Sequence, residues 1–152
     1  STSGMNDDLS SLIYNKSLDL ISRREHSRGE LYIKLIKRYP DAQELINETL
    51  DKLNINKLLN DARFAEMYVI ARAKKGFGPQ RIKMELQQKQ VGSIEIADAI
   101  DAFEGWDEIL RHELEKKYKQ PTEDFKEIMK RKQFLYNRGF SQAQIESVLD
   151  QS

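Results

Sequence analysis

The chain has 152 residues, of which 39% are apolar and 33% charged, and its 25 basic side chains are balanced by 25 acidic ones. That length suits one ordinary domain or several small units sharing a core, and no apolar run approaches the roughly 20 residues that a membrane-spanning helix needs. Cysteine is absent and the histidines are His26 and His112 alone, so disulfides, thiol nucleophiles and cysteine metal sites are excluded, a zinc or haem site has little support, and a reducing cytosol is the expected compartment. No secretory apolar region opens the sequence. Ser1-Thr2-Ser3-Gly4 ahead of Met5 reads as a cloning remnant and is left out of the fold prediction.

Taken in chain order, start and stop signals predict nine helices, near 9–22, 27–38, 41–53, 61–75, 79–90, 93–103, 106–118, 122–137 and 141–151. Ser27-x-x-Glu30 is a capping box, and Asp41-x-x-Glu44 is a similar start signal. Gly78-Pro79 places proline in a first helical turn. Gly92-Ser93, Gly105 and Pro121-Thr122 mark breaks, and Ser141-x-x-Gln144 is a second capping box. Between these signals the apolar spacing is helical: Trp106, Ile109, Leu110, Leu114 and Tyr118 make one stripe, and Phe125, Ile128, Met129 and Leu135 another. Alternating strand patterns are absent.

The helices repeat. Ile46-x-x-x-Leu50-Asp51, Ile96-x-x-x-Ile100-Asp101 and Ile145-x-x-x-Leu149-Asp150 carry one pattern, and Leu35, Leu86 and Leu135 recur upstream of it. A period near fifty residues means tandem units of supersecondary structure, with one-residue differences absorbed in loops. The expected fold is all-α, an elongated, curved array of three three-helix repeats: a leader at 1–16, then repeats at 17–56, 57–104 and 105–152. Such units cannot bury much apolar surface alone, so neighbours are expected to stack.

The neutral total charge hides segregation. Residues 16–38 hold seven basic and three acidic side chains, residues 72–89 six and one, and residues 111–138 nine and five. Acidic stretches lie between and after them. Both signs could simply decorate solvated helices. Alternatively, equivalent basic segments on one flank would make a stripe suited to phosphate or to an acidic protein surface.

Residues 60–91, NDARFAEMYVIARAKKGFGPQRIKMELQQKQV, are the most specific part of the chain. Asp61, Arg63, Phe64, Ala65, Tyr68, Val69, Arg72, Lys74, Lys75, Gly76, Gly78, Pro79, Arg81, Ile82, Glu85, Leu86 and Lys89 together resemble the central signature of the RecX family. Arg24-Glu25-His26-Ser27-Arg28 with Glu30-Leu31 is similar to that family's first repeat, and Phe134-Leu135, Arg138-Gly139-Phe140-Ser141 and Ile145 to its third. The likeness spans about 17–150. The chain departs from the pattern at Asn60-Asp61, where Asp-Asp is frequent, at Lys89-Gln90-Val91, where Lys-Gly-Ile is, and at Gly29, where alanine is common and glycine weakens a helix by about 1 kcal/mol.

The resemblance implies a non-enzymatic regulator. It would bind the groove of the RecA–DNA filament and restrain its ATPase, strand-exchange and coprotease activities, with RecA as partner, weak direct contact with single- or double-stranded DNA, and no cofactor of its own. No coiled-coil heptad demands assembly, so a monomer is expected. The candidate contacts are the basic turn residues Arg23, Arg24 and Arg28; Arg72, Lys74, Lys75, Arg81, Lys83 and Lys89; and Lys130, Arg131, Lys132 and Arg138, with Phe77 as an anchor. Each of these charges could instead be a solvated helix end. Tyr68 and Trp106 read as core, and His26, just ahead of the capping Ser27, as structural. Gly76-x-Gly78 lacks the third glycine, the preceding strand and the Gly-Lys-Ser/Thr ending of a nucleotide loop. A competing reading makes the three-helix units homeodomain-like, with Gln80, Arg81, Gln87 and Gln88 reading duplex DNA; the acidic third helices oppose it.

Overall fold

A computed structural model describes residues 2–150, with side chains from Gly4 onward. Among the described residues there are nine helices and no strand: α1 (Thr2–Arg23), α2 (Arg28–Arg38), α3 (Gln43–Ile55), α4 (Asp61–Lys74), α5 (Pro79–Gln88), α6 (Ser93–Ala102), α7 (Trp106–Lys117), α8 (Phe125–Asn137) and α9 (Gln142–Leu149). Within each repeat the three helices all pack on one another, whereas α4 against α7 is the main helix-on-helix contact between repeats. The all-α tandem array expected from the periodicity is therefore the fold.

Local chemistry sets the boundaries. Ser27 and Ser141 each form the full reciprocal capping box, Asn60 accepts from the Arg63 amide, and Asp124 accepts from that of Glu127. Four expectations need correction. α1 begins at Thr2 rather than near 9, so the leader continues the first helix. Asp41 does not cap α3, which starts at Gln43 behind Ala42 with no side-chain cap. α8 starts at Phe125 behind Asp124, because the hydroxyl of Thr122 is spent on the Asp124 amide instead. Finally, Phe125 (72% exposed) and Met129 (47%) lie outside the core that their spacing suggested.

Each repeat has its own core. Leu35, Leu86 and Leu135 are fully buried at equivalent positions, and Ile46, Ile96 and Ile145 beside them nearly so; each such side chain contributes about 1.5–3 kcal/mol. The cores of repeats 2 and 3 are bridged by Trp106 and Ile109, which pack against both. Trp106 meets Phe103 with the rings tilted by 54° and their centroids 4.5 Å apart, and donates its indole N–H to the Ile100 carbonyl. The core of repeat 1 shares no side chain with either.

Two joints connect the repeats, and they obey one rule: the start of the second helix in one repeat docks on the end of the second helix in the next. At the first joint the Ser27 hydroxyl donates to the Lys89 carbonyl at 2.7 Å. At the second, the Gly78 amide donates to the Arg138 carbonyl at 2.9 Å and the Gln80 amide to that of Gly139 at 2.8 Å. Lys89 and Arg138 are both helix C-caps, and both precede a residue with positive φ, Gln90 at 62° and Gly139 at 104°. The amides at a helix start have no intrahelical acceptor, and the second joint satisfies two of them; at the first joint the donor is the hydroxyl of the N-cap serine.

The joints explain two glycines. A Cβ on Gly78 would fall on the backbone of Gly139 and Phe140, and one on Gly29 would meet the Gln90 side chain and the Lys89 carbonyl. Gly29 is thus the residue that lets α2 approach repeat 2, offsetting its low helix propensity. The extra residue of repeat 1 lies at the end of α2, which runs three residues past Leu35 where α5 and α8 run two past Leu86 and Leu135. The α7–α8 turn, which no neighbouring repeat contacts among the described residues, is lengthened to residues 118–124. Gly78 and Gly92 are both N-caps without a side-chain cap, but a Cβ on Gly92 meets only the Glu95 carboxylate tip. Gly78→Ala should therefore lower the urea-unfolding free energy by about 2 kcal/mol more than Gly92→Ala.

Candidate binding surface

The basic run of repeat 2 folds into a network around one ring. The Arg72 guanidinium makes two 2.9 Å bonds to the Glu85 carboxylate, Arg81 reaches the same group at 3.3 Å, and the Tyr68 hydroxyl donates to it at 2.9 Å. Arg72, Arg81 and Arg138 lie 4.1, 4.3 and 4.1 Å from the centre of the Phe77 ring. Arg138 also donates to the carbonyls of Lys75 and Gly76, at 2.7 and 3.3 Å, and faces the buried Glu113 at 3.6 Å. Burial would raise the Glu85 pKa, but bonds from Arg72, Tyr68 and Arg81 outweigh it and hold the carboxyl below its usual range. Burial and the bond to Glu85 push Tyr68 up to about 12.

Among the sequence-predicted contacts, the structure therefore places Arg72, Arg81, Arg138 and Phe77 in the second joint and its flank. Arg28 gives its amide to Asp61 at 2.8 Å and its guanidinium to Asp51 at 2.8 Å. Lys89 reaches Glu30 across the first joint at 3.1 Å, and Arg24 holds the same carboxylate at 3.0 Å. Arg23 pairs with Asp19, Arg131 with Glu127, and Lys132 with Asp150. Lys74, Lys75, Lys83 and Lys130 are exposed and have no ion-pair or side-chain hydrogen-bond partner among the described residues. Of the contacts predicted from sequence, these four are left available to a partner.

Sequence reasoning missed a further group beside the first joint. His26 is 2% exposed; its Nδ1 donates to the Arg24 carbonyl at 3.0 Å, so its Nε2 is left to accept from the Lys34 ammonium at 2.8 Å. Burial pushes the His26 pKa below 6.5, and the charges of Arg24 and Lys34 push the same way. Burial likewise lowers Lys34, assisted by the charge of Arg24. Burial alone would raise Glu30, but bonds from Arg24, Lys89 and the Ser27 backbone hold it at about 2. The cue in sequence was the i, i+8 placement of a histidine and a lysine, too weak to stand without the fold. Among the described residues no three histidine or carboxylate side chains are grouped as a metal site.

Two measurements check these assignments. Arg72→Ala removes a bidentate pair and leaves Glu85 undersatisfied, so it should cost about 2 kcal/mol in chemical denaturation, whereas Lys74→Ala and Lys83→Ala should each stay within about 0.5 kcal/mol of the parent. Stability should also fall with acid in two stages. A histidine whose folded pKa lies below 6.5 contributes stability above that value, which is lost as pH drops through the depressed pKa; Glu30 contributes above its ordinary 4.5 and loses that contribution toward pH 2. Melting temperature against pH should show both stages, and His26→Gln should flatten the upper one.

Comparison with known proteins follows this geometry closely. Models described as the first, second and third three-helix domains of RecX match residues 14–53, 60–100 and 107–149. A regulatory protein RecX from Ectopseudomonas mendocina is 42% identical over 128 residues, covering 82% of this chain and 84% of the relative. One from Cronobacter sakazakii is 33% identical over 149 residues, covering 91% and 90%. The crystal structure of RecX from Lactobacillus salivarius superimposes with a TM-score of 0.80 at 28% identity, covering 95% of this chain and 96% of that one. With the three repeats matched in order and a relative 42% identical over most of both chains, this chain belongs to the RecX family of regulatory proteins.

Proposed function

We propose that the chain binds within the groove of the RecA–DNA filament and restrains RecA's ATPase, strand-exchange and coprotease activities, acting by binding rather than by catalysis. The observation that carries this reading is family membership, joined to a serial array that exposes the unpaired lysines Lys74 and Lys75 at the end of α4, Lys83 on α5 and Lys130 on α8. A filament presents the same surface at regular intervals, so a protein built of repeats engages several subunits at once, and linked weak contacts sum to tight binding. The joints support this role by limiting the repeats' independent motion. Reading of duplex DNA by α5 has less support, because a recognition helix leads with its N-terminal residues and that end of α5 is docked on Gly139.

Titrating the protein into an active RecA–single-stranded DNA filament should slow ATP hydrolysis at stoichiometric levels; an unchanged rate would overturn the reading. The combined variant Lys74→Gln, Lys75→Gln, Lys83→Gln should require about tenfold more protein for the same inhibition, as expected for three surface contacts of about 0.5 kcal/mol each. Its helical content should be unchanged, since none of the three has a structural partner.

A further inference from the structure

A groove runs between α2 and α5 across the first joint, lined by Ile33, Lys34, Lys37, Tyr68, Gln88 and Lys89, with Glu30 and Glu85 also in its wall. Its two carboxylates are fully engaged. Glu30 accepts from Arg24 and Lys89 and from the Ser27 amide, and Glu85 accepts from Arg72, Arg81 and Tyr68. Lys37 has no partner among the described residues, and Lys34 has only the imidazole of His26, which carries no negative charge. The groove therefore holds two ammonium groups, those of Lys34 and Lys37, with no carboxylate in contact among the described residues, beside the apolar surface of Ile33 (38% exposed) and the Tyr68 ring.

We infer that this groove is a binding site for an acidic polypeptide segment, whose carboxylates sit on Lys34 and Lys37 while a neighbouring apolar side chain covers Ile33. Complementary charge makes the site selective, and the wall of Ile33 and Tyr68 supplies apolar contact. Nucleic acid fits less well. A phosphate backbone needs a continuing track of cations, and the next groove along, between α5 and α8–α9, offers Gln80, Met84, Gln88, Tyr136 and Gln142 with one cation, Arg81, already paired. The charge is confined to one site. This inference does not depend on the filament reading, since any partner with an exposed acidic segment satisfies it.

The test uses the whole chain with two labelled probes, hexaglutamate and hexathymidylate, followed by fluorescence anisotropy at low and at physiological salt. Hexaglutamate should bind the parent, and Lys34→Gln with Lys37→Gln should weaken it at least tenfold, while Lys74→Gln with Lys75→Gln leaves it unchanged. Because Lys34 touches the buried His26, Lys37→Gln alone provides a surface variant that cannot unfold the repeat and should weaken binding about threefold. No binding of hexaglutamate, equal loss in the Lys74/Lys75 variant, or tighter binding of hexathymidylate through Lys34 and Lys37 would overturn the inference. Assaying the groove variant on RecA–DNA filaments separates the two proposals: full inhibition by a variant that has lost hexaglutamate binding leaves the filament reading intact and assigns the groove to another partner.

Discussion

The architecture depends on a carbonyl at the end of one helix and the donors at the start of another, one repeat away. Arg138 and Lys89 end their helices with carbonyls aimed at the preceding repeat, and Gly78 and Ser27 supply the donors. A helix terminus leaves backbone groups that must find partners or face water. Here each repeat completes its neighbour, which is how units of three short helices become one molecule. The direction is head to tail, so the array has two unlike ends. The undocked turn after α7 departs from the repeat pattern by its longer connection, and the undocked end of α2 by one extra helical residue.

The two joints use the same backbone rule with different side chains. The second is reinforced by apolar and cation–π contact: Trp106 and Ile109 belong to both cores, and the Phe77 ring is held among three guanidinium groups. The first relies on polar and ionic ties, Lys89 to Glu30, Arg63 to Glu25 and the Arg28 amide to Asp61, with no shared core side chain. Ion pairs occur at both joints, Arg72 with Glu85 and Arg138 with Glu113 at the second, so the shared apolar core is what sets the second apart. The cationic groove lies over the first joint, where a bound segment would contact both sides.

Much of this was legible in the sequence. The repeat period, the capping boxes at Ser27 and Ser141 and the burial of Leu35, Leu86 and Leu135 follow from local pattern, because a helix's inner face and its start are written in residues three and four apart. Asp41 failed as a cap because the extra residue at the end of α2 shifted the start of α3 past it. Phe125 failed as a core residue because it opens a helix, where only part of the apolar stripe has a neighbour to cover it. The binding surface was harder to read. A count of charges cannot show that Arg138 is committed to carbonyls 62 and 63 positions away, or Lys89 to Glu30, 59 positions away. Those commitments removed the candidate arginines, Lys89 and Lys132 from the available surface and left Lys74, Lys75, Lys83 and Lys130, a division that composition does not contain.

Amide hydrogen exchange tests the head-to-tail joint most directly. Amides in the first turn of a helix exchange quickly unless something outside the helix accepts them. The amides of Gly78 and Gln80 should be protected nearly as well as those of buried Leu86, while that of Lys126, in the first turn of the undocked α8, exchanges fast. Gly78 and Gln80 exchanging as rapidly as Lys126 would mean that the repeats do not dock in this way.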